Sequence, residues 1–343
     1  MIEVDIIFAR QGTIGLAVLN RPKALNALTL DQVHALHTRL DAWAADPSVK
    51  AVVIEGTGDK AFCAGGDIRA LYDAAKASEM DYVAAFYRDE YRLNRKIKTF
   101  PKPYVALIDG IVMGGGVGVS VHGAYRVATE RTLFAMPETG IGFFPDVGGA
   151  FFLPRCPGQL GLYLGLTGAR LRAADCLYAG IATHYVPSVR LGELRAALAE
   201  GGDDVAAVLS RFHVDPGPAP IAQHMDLIER CFAQPGFDAV LAALAVEGDG
   251  FAADTLAAIR AKSPTASKVA FEQIRRGGKL DFDACMKMEF RLSQVYAPAA
   301  DFIEGIRAVI IDKDGKPAWG EPASDEAVRA SFDHVPLCGE LSF

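Results

Sequence analysis

The chain has 343 residues, 51% of them hydrophobic, and carries a formal net charge of −7 with a pI near 5.6. A chain of that length buries a large core and has room for more than one domain. The acidic balance and the lack of a dense Lys/Arg run exclude a nucleic-acid partner, and no apolar run approaches the roughly 20 residues that a membrane helix needs.

The amino terminus, Met1 to Phe8, has early acids and no basic-then-apolar-then-small order, so it reads as a strand and not as an export signal. Val4 to Phe8 and Ile14 to Leu19 form a predicted strand pair around Gln11-Gly12, followed by the irregular Asn20-Arg21-Pro22-Lys23. Thr29 and Gln32 have capping-box spacing. Leu30, Val33, Leu36, Leu40 and Trp43 then recur at helical spacing until Asp46-Pro47 stops the run. On this helix His34 and His37 lie three apart, but no nearby acid or cysteine completes a metal-ligand set.

Ala51 to Ile54 reads as a compact buried strand, Gly56 to Gly66 as a loop leading to a second helix, and Tyr104 to Ile108 as another strand. This alternation predicts an α/β core with largely parallel strands. From Gly158 onward helical stripes dominate, over Leu191 to Glu200, Asp203 to Phe212, Pro220 to Phe232 and Asp281 to Tyr296, with one further strand at Ile181 to Val186. A Gly-, Asp- and Pro-rich break over 190–220 suggests a core over 1–200 and a helical carboxy-terminal region over 201–343. Cys63, Cys156, Cys176, Cys231, Cys285 and Cys338 are scattered without CxxC spacing, which points to free thiols in a reducing cytoplasm.

Three segments carry chemistry. Met136 to Gly149 holds Glu138 and Asp146 among glycines, prolines, Phe143 and Phe144. Such a loop cannot be a continuous helix, and its apolar residues would draw both acids into poorly hydrated surroundings. Burial raises a carboxyl pKa and strips the ionised form of competing water, as a general base or nucleophile requires. The competing reading is a cap at Glu138 and a turn anchor at Asp146. Gly110 to Ser120 puts glycines where a strand ends and a helix begins, which suits an oxyanion, a phosphate or close helix packing. Phosphate is the weakest of these, because neither a Gly-Lys-Ser/Thr ending nor GxGxxG spacing is present. Phe62 to Ile68 is another exposed-backbone turn, with Asp67 placed to cap the helix that follows.

Taken in order, Leu19 to Leu28, Ala64-Gly65-Gly66-Asp67-Ile68 and Met113-Gly114-Gly115-Gly116 resemble the crotonase (enoyl-CoA hydratase/isomerase) superfamily over nearly the whole chain. The resemblance implies a crotonase-like spiral of ββα turns with a helical carboxy-terminal region. It also implies an oxyanion hole made by the backbone N–H groups of Gly66 and Gly115, and a CoA site lined by Lys23, Ala24, Ala64, Gly65 and Ile68. Hydratases of that superfamily use two glutamates. Here Gly118 takes the first place, Glu138 keeps the second, and Asp146 stands where those hydratases have glycine.

The pattern from Gly114 to Gly149 instead resembles a hydrolase branch acting on short hydroxyacyl-CoA thioesters, the 3-hydroxyisobutyryl ester foremost. Segments near Lys262, Met288 and Asp301 agree with that branch. It makes Glu138 the nucleophile or base, lets Asp146 bind the substrate 3-hydroxyl, and adds Glu90 and Phe143 to the substrate site; by itself Glu90 reads only as a helix-surface acid. No metal or redox cofactor is required, since CoA is part of the substrate. Members of the superfamily commonly assemble through their carboxy-terminal helices, which makes a homo-oligomer one expectation and helices folded back on their own core the other. An enoyl-CoA hydratase and a non-catalytic acyl-CoA-binding protein are the alternative functions.

Overall fold

The computed structural model describes residues 4–201, 204–248 and 250–343. The export-signal reading at Met1 to Glu3 and the start of a helix at Asp203 lie outside them. The described strands, in chain order, are β1 (Ile6–Gln11), β2 (Ile14–Leu19), β3 (Ala51–Gly56), β4 (Ala61–Cys63), β5 (Tyr104–Ile108), β6 (Ile111–Met113), β7 (Tyr125–Ala128), β8 (Leu133–Ala135) and β9 (His184–Tyr185). They form a six-stranded sheet of order β1-β2-β3-β5-β7-β9 and a three-stranded sheet of order β4-β6-β8.

The larger sheet is parallel except for the β1–β2 hairpin. Successive pairs β3/β4, β5/β6 and β7/β8 give one strand to each sheet, and the return to a parallel neighbour needs the crossover that intervening segments supply. This is the mixed α/β architecture that the strand and helix alternation predicts. Strand ends differ from expectation at both edges of this sheet, β1 running on to Gln11, and the strand read as Ala51 to Ile54 continues to Gly56. The first strand starts two residues later, at Ile6, and the last contracts to His184–Tyr185, although Thr183 N and Val186 N still donate to Arg126 O and Ala128 O. Edge strands pair on one side only, so their ends are weakly specified by local pattern.

Ala51 to Ile54 is apolar throughout because both faces of the sheet are covered. On one face Ile14, Leu16, Val53, Val105, Leu107 and Val127 pack against Leu194, Leu198, Leu209 and Phe212 of the helices Leu191–Glu200 and Val205–Phe212. On the other, a Cβ at Gly15 would lie 2.5 Å from the Trp43 ring, so the small residue lets the helix Leu30–Ala45 approach the sheet. The expected capping box opens that helix: Gln32 N donates to Thr29 Oγ1 at 3.2 Å and Thr29 N to Gln32 Oε1 at 3.0 Å.

Two compact units interleave along the chain. One comprises the residues up to Gly66 with Arg92–Phe134 and Arg170–Pro220; the other comprises Asp67–Tyr91, Ala135–Ala169 and Ile221–Phe343. The expected division was linear, with its break over 190–220. The second unit is almost entirely helical, with Pro264–Gly277 packed on Leu160–Thr167 and Gly149–Phe152. No helix among the described residues is long and apolar enough to cross a membrane.

The loop between β2 and the first long helix is held by one buried side chain. Asn26 Nδ2 donates to Ala61 O at 2.8 Å and to Thr57 O at 3.0 Å, while its Oδ1 accepts from Arg21 N at 2.9 Å. Replacing Asn26 by Ala orphans these buried groups and is expected to cost about 2 kcal/mol, read as a lowered urea midpoint. An unchanged midpoint would show that the loop is held elsewhere.

Candidate active site

Three site segments begin where strands of the smaller sheet end: Ala64-Gly65-Gly66 after β4, Gly114-Gly115 after β6 and Met136-Pro137-Glu138 after β8. In the first unit, Gly114 (φ +47°) caps a short helix, Gly115–Gly118, so the Gly115 N–H is among those that the helix cannot satisfy internally. Gly66 forms an isolated parallel bridge with Leu28, and Leu28 N donates to Gly65 O at 2.9 Å. A Cβ at Gly65 would lie 3.9 Å from Gly115 N, which places the two turns side by side. A Cβ at Gly116 would come within 2.2 Å of Cys63 O, so only glycine allows this approach. The close packing and the Gly115 N–H left without an intrahelical partner therefore come from the same glycine turn. Gly118, in the place of a hydratase glutamate, is buried in that turn.

Lys23 and Ala24 sit exposed in the 3-10 turn Pro22–Ala24, and Ala64 N donates to Leu25 O at 3.0 Å, so Lys23, Ala24, Ala64 and Gly65 share one region of the first unit. Ile68 opens the helix Ile68–Lys76 of the second unit, where Asp67 Oδ1 accepts from Ala70 N at 3.4 Å as its cap.

The second unit gathers the acids. Glu138 and Asp146 are each 6% exposed, and Glu90 only 2%. Glu90 is thus buried, not the surface acid that its helix suggests in isolation. Glu138 opens the 3-10 turn Glu138–Ile141 without capping it by its side chain, and its Oε2 has no hydrogen-bond partner in the protein, like Oε1 of Glu90. Asp146 Oδ2 accepts from the Tyr91 hydroxyl at 2.9 Å. Phe143 stacks on Phe144 at 4.3 Å and on Tyr87 at 5.4 Å, with Phe302 at 5.0 Å, so these rings form one packed aromatic cluster.

Burial dominates the electrostatics. It pushes Asp146 up to about 7 despite the Tyr91 hydrogen bond, and pushes Glu138 and Glu90 well above the ordinary glutamate value, with the Asp146 charge adding to both. Each of these carboxyls therefore keeps its proton to a higher pH than an exposed acid does. Such a group accepts or returns a proton readily, and its ionised form is poorly hydrated and reactive.

Four participants escaped sequence reasoning: Tyr87, Tyr91, Gln273 and Glu289. Tyr87 and Tyr91 flank Glu90 in the sequence, where no local pattern gives them a role. Glu289 accepts from Gly148 N and Ala150 N, both at 2.7 Å, while Gln273 Nε2 donates to Pro145 O at 2.7 Å and to Glu289 Oε1 at 3.3 Å. These bonds hold the turn that carries Asp146, where Val147 (φ +49°) and Gly148 (φ +89°) are both left-handed. The available signal was an acid at Glu289 within the apolar stripe of Phe282, Cys285, Met286, Leu292 and Tyr296.

A family model described as enoyl-CoA hydratase/isomerase matches residues 14–335. The mitochondrial 3-hydroxyisobutyryl-CoA hydrolase of Xenopus tropicalis is 46% identical over 338 residues, covering 96% of this chain and 88% of that protein. Its Homo sapiens counterpart is 45% identical over 324 residues, covering 92% and 84%. Among solved structures, a carnitinyl-CoA dehydratase from Mycobacterium thermoresistibile superposes with a TM-score of 0.93 at 41% identity, covering 99% of this chain and 98% of that one. An enoyl-CoA hydratase from Rhodobacter sphaeroides gives 0.92 at 38%, covering 99% and 100%. The expected cytoplasmic placement is corrected by these hydrolases, which are named as mitochondrial. Scattered free cysteines do not separate cytosol from mitochondrion.

Proposed function

The chain belongs to the enoyl-CoA hydratase/isomerase family, and we propose that within it this protein hydrolyses a short hydroxyacyl-CoA thioester, most specifically 3-hydroxyisobutyryl-CoA. The relatives named as hydrolases of that ester support the reading. The observation that carries it is the acid pattern: glycine at 118, and two buried carboxylates at Glu138 and Asp146.

In the proposed reaction the thioester oxygen is held by the N–H groups of Gly66 and Gly115, where one such donor is typically worth about 3 kcal/mol of barrier. Glu138 attacks the carbonyl carbon, the C–S bond breaks, and the thiolate leaves with a proton from the carboxyl cluster. Water then opens the mixed anhydride to give the hydroxyacid and restore Glu138. Alternatively, Glu138 takes a proton from water, and that water attacks directly. Asp146 binds the 3-hydroxyl, Phe143 walls the acyl group, Glu90 completes the polar end, and Lys23, Ala24, Ala64, Gly65 and Ile68 line the CoA portion.

Both routes need ionised Glu138. The acidic limb of kcat/KM is therefore expected well above the 4.5 of an ordinary glutamate, with activity rising as pH rises through it. A limb at the ordinary carboxylate value would disconnect the buried cluster from turnover.

The two solved relatives, a carnitinyl-CoA dehydratase and an enoyl-CoA hydratase, favour a second reading, hydration of an enoyl-CoA. Thiol release from 3-hydroxyisobutyryl-CoA, with crotonyl-CoA and acetyl-CoA in parallel, separates the two. The proposal expects rapid release from the hydroxyacyl ester alone; consumption of crotonyl-CoA without thiol release would favour the hydratase.

A further inference from the structure

Asp146 can recognise a substrate hydroxyl in two opposite ways, as an ionised acceptor or as a protonated donor. Which one applies depends on what faces it. The helix Met80–Lys98 brings Tyr87, Glu90 and Tyr91, the turn Glu138–Ile141 brings Glu138, and the helix Phe282–Tyr296 brings Glu289. Burial opposes a negative charge on Asp146, and none of these groups is a cation that would offset it. Favouring the charge, the Tyr91 hydroxyl donates to Oδ2 at 2.9 Å inside the protein, and a backbone hydrogen bond adds to it. Tyr91 is wholly buried, and burial beside the carboxylates keeps its phenol protonated, so its O–H stays available to donate to Asp146.

We infer that Tyr91 is the positioning residue that fixes Asp146 as a hydrogen-bond acceptor, and that this contact sets the enzyme's preference for a 3-hydroxyacyl group over the same acyl group without the hydroxyl. The inference rests on the hydrolase reading and deepens it. A bond to the ionised form of a carboxyl favours that form, and the acceptor capacity that remains is available to the substrate O–H. Without the Tyr91 donor the cluster's proton moves onto Asp146. Its carboxyl then competes with the substrate hydroxyl as a donor.

The test is the ratio of kcat/KM for 3-hydroxyisobutyryl-CoA to that for isobutyryl-CoA, followed against pH. Protonation of Glu138 slows both esters alike and cancels in the ratio, which leaves the state of Asp146. In the wild type the ratio is expected to fall on acidification through about 7. Tyr91→Phe is expected to lower it roughly fivefold at neutral pH and to recover the wild-type ratio about two pH units higher, as a shift of about one pKa unit requires. Replacing Tyr91 by 3-fluorotyrosine keeps the shape and strengthens the donor, so the midpoint should move the other way. That variant also serves if Tyr91→Phe does not fold. Asp146→Asn should give a low ratio that is flat with pH. Equal midpoints in the wild type and the Tyr91 variants would overturn the inference, as would a loss by one constant factor at every pH. Absence of thiol release from either ester by the wild type would instead refute the hydrolase reading.

Discussion

Glu138→Gln is expected to lower thiol release from 3-hydroxyisobutyryl-CoA by at least about a thousandfold while leaving CoA-ester binding within a few-fold of wild type, because removing a nucleophile or base abolishes an interaction used only in reaching the transition state. The amide is nearly isosteric with the acid. Glu138 Oε2 has no hydrogen-bond partner in the protein and the carboxyl is buried, so the replacement breaks no contact of that oxygen and removes a charge that is hard to bury. Thermal stability should therefore hold or rise. Steady-state thiol release together with equilibrium binding of the ester reads both quantities. Near-normal turnover would remove Glu138 from the mechanism, and a collapse of binding together with rate would recast it as a structural acid.

The second large effect falls on a residue outside the proposed chemistry. Glu289→Ala removes the acceptor of Gly148 N and Ala150 N and one partner of Gln273, all inside the protein. Each buried donor left without a partner costs about 1–3 kcal/mol, so a loss of about 4 kcal/mol is expected, with kcat falling because the turn that presents Asp146 is no longer held. Glu289→Gln keeps one acceptor oxygen and should lose about half as much. The urea midpoints of the two variants, set beside their kcat values, check this. If both match wild type in stability, the turn is held by its own backbone conformation.

The contrast between these two acids shows what the sequence disclosed. Glu138 was legible because glycine and proline forbade a helix around it while Phe143 and Phe144 demanded burial, and the two requirements together leave a carboxylate in an apolar loop. Glu289 is equally buried but lies in a regular helical stripe, where one acid among apolar positions resembles a boundary residue. Its partners, Gly148 and Ala150, are far away in sequence, and no local pattern announces them. Glu90 was misjudged for the same reason when taken alone. The helix Met80–Lys98 is long and highly charged, and only tertiary packing decides which of its acids is covered.

At the level of the fold, caps and buried strands read well because their signals are local: Thr29 with Gln32, Asp67 with Ala70, and the run Ala51 to Ile54. The interleaving of the two units did not, since it arises from which distant segments pack together. The glycines at 114–116 carried two readings, helix packing and a donor site; the close approach of Gly116 to Cys63 bears out the packing, and the donor role belongs to the proposed function.

The most direct test of the account is chromatographic analysis of the products that the wild-type protein forms from 3-hydroxyisobutyryl-CoA. Hydrolysis predicts free CoA and 3-hydroxyisobutyrate in equal amounts with no unsaturated ester. Accumulation of methacrylyl-CoA, with the thioester intact and no free CoA, would show that the buried carboxylates dehydrate their substrate and would contradict the assignment.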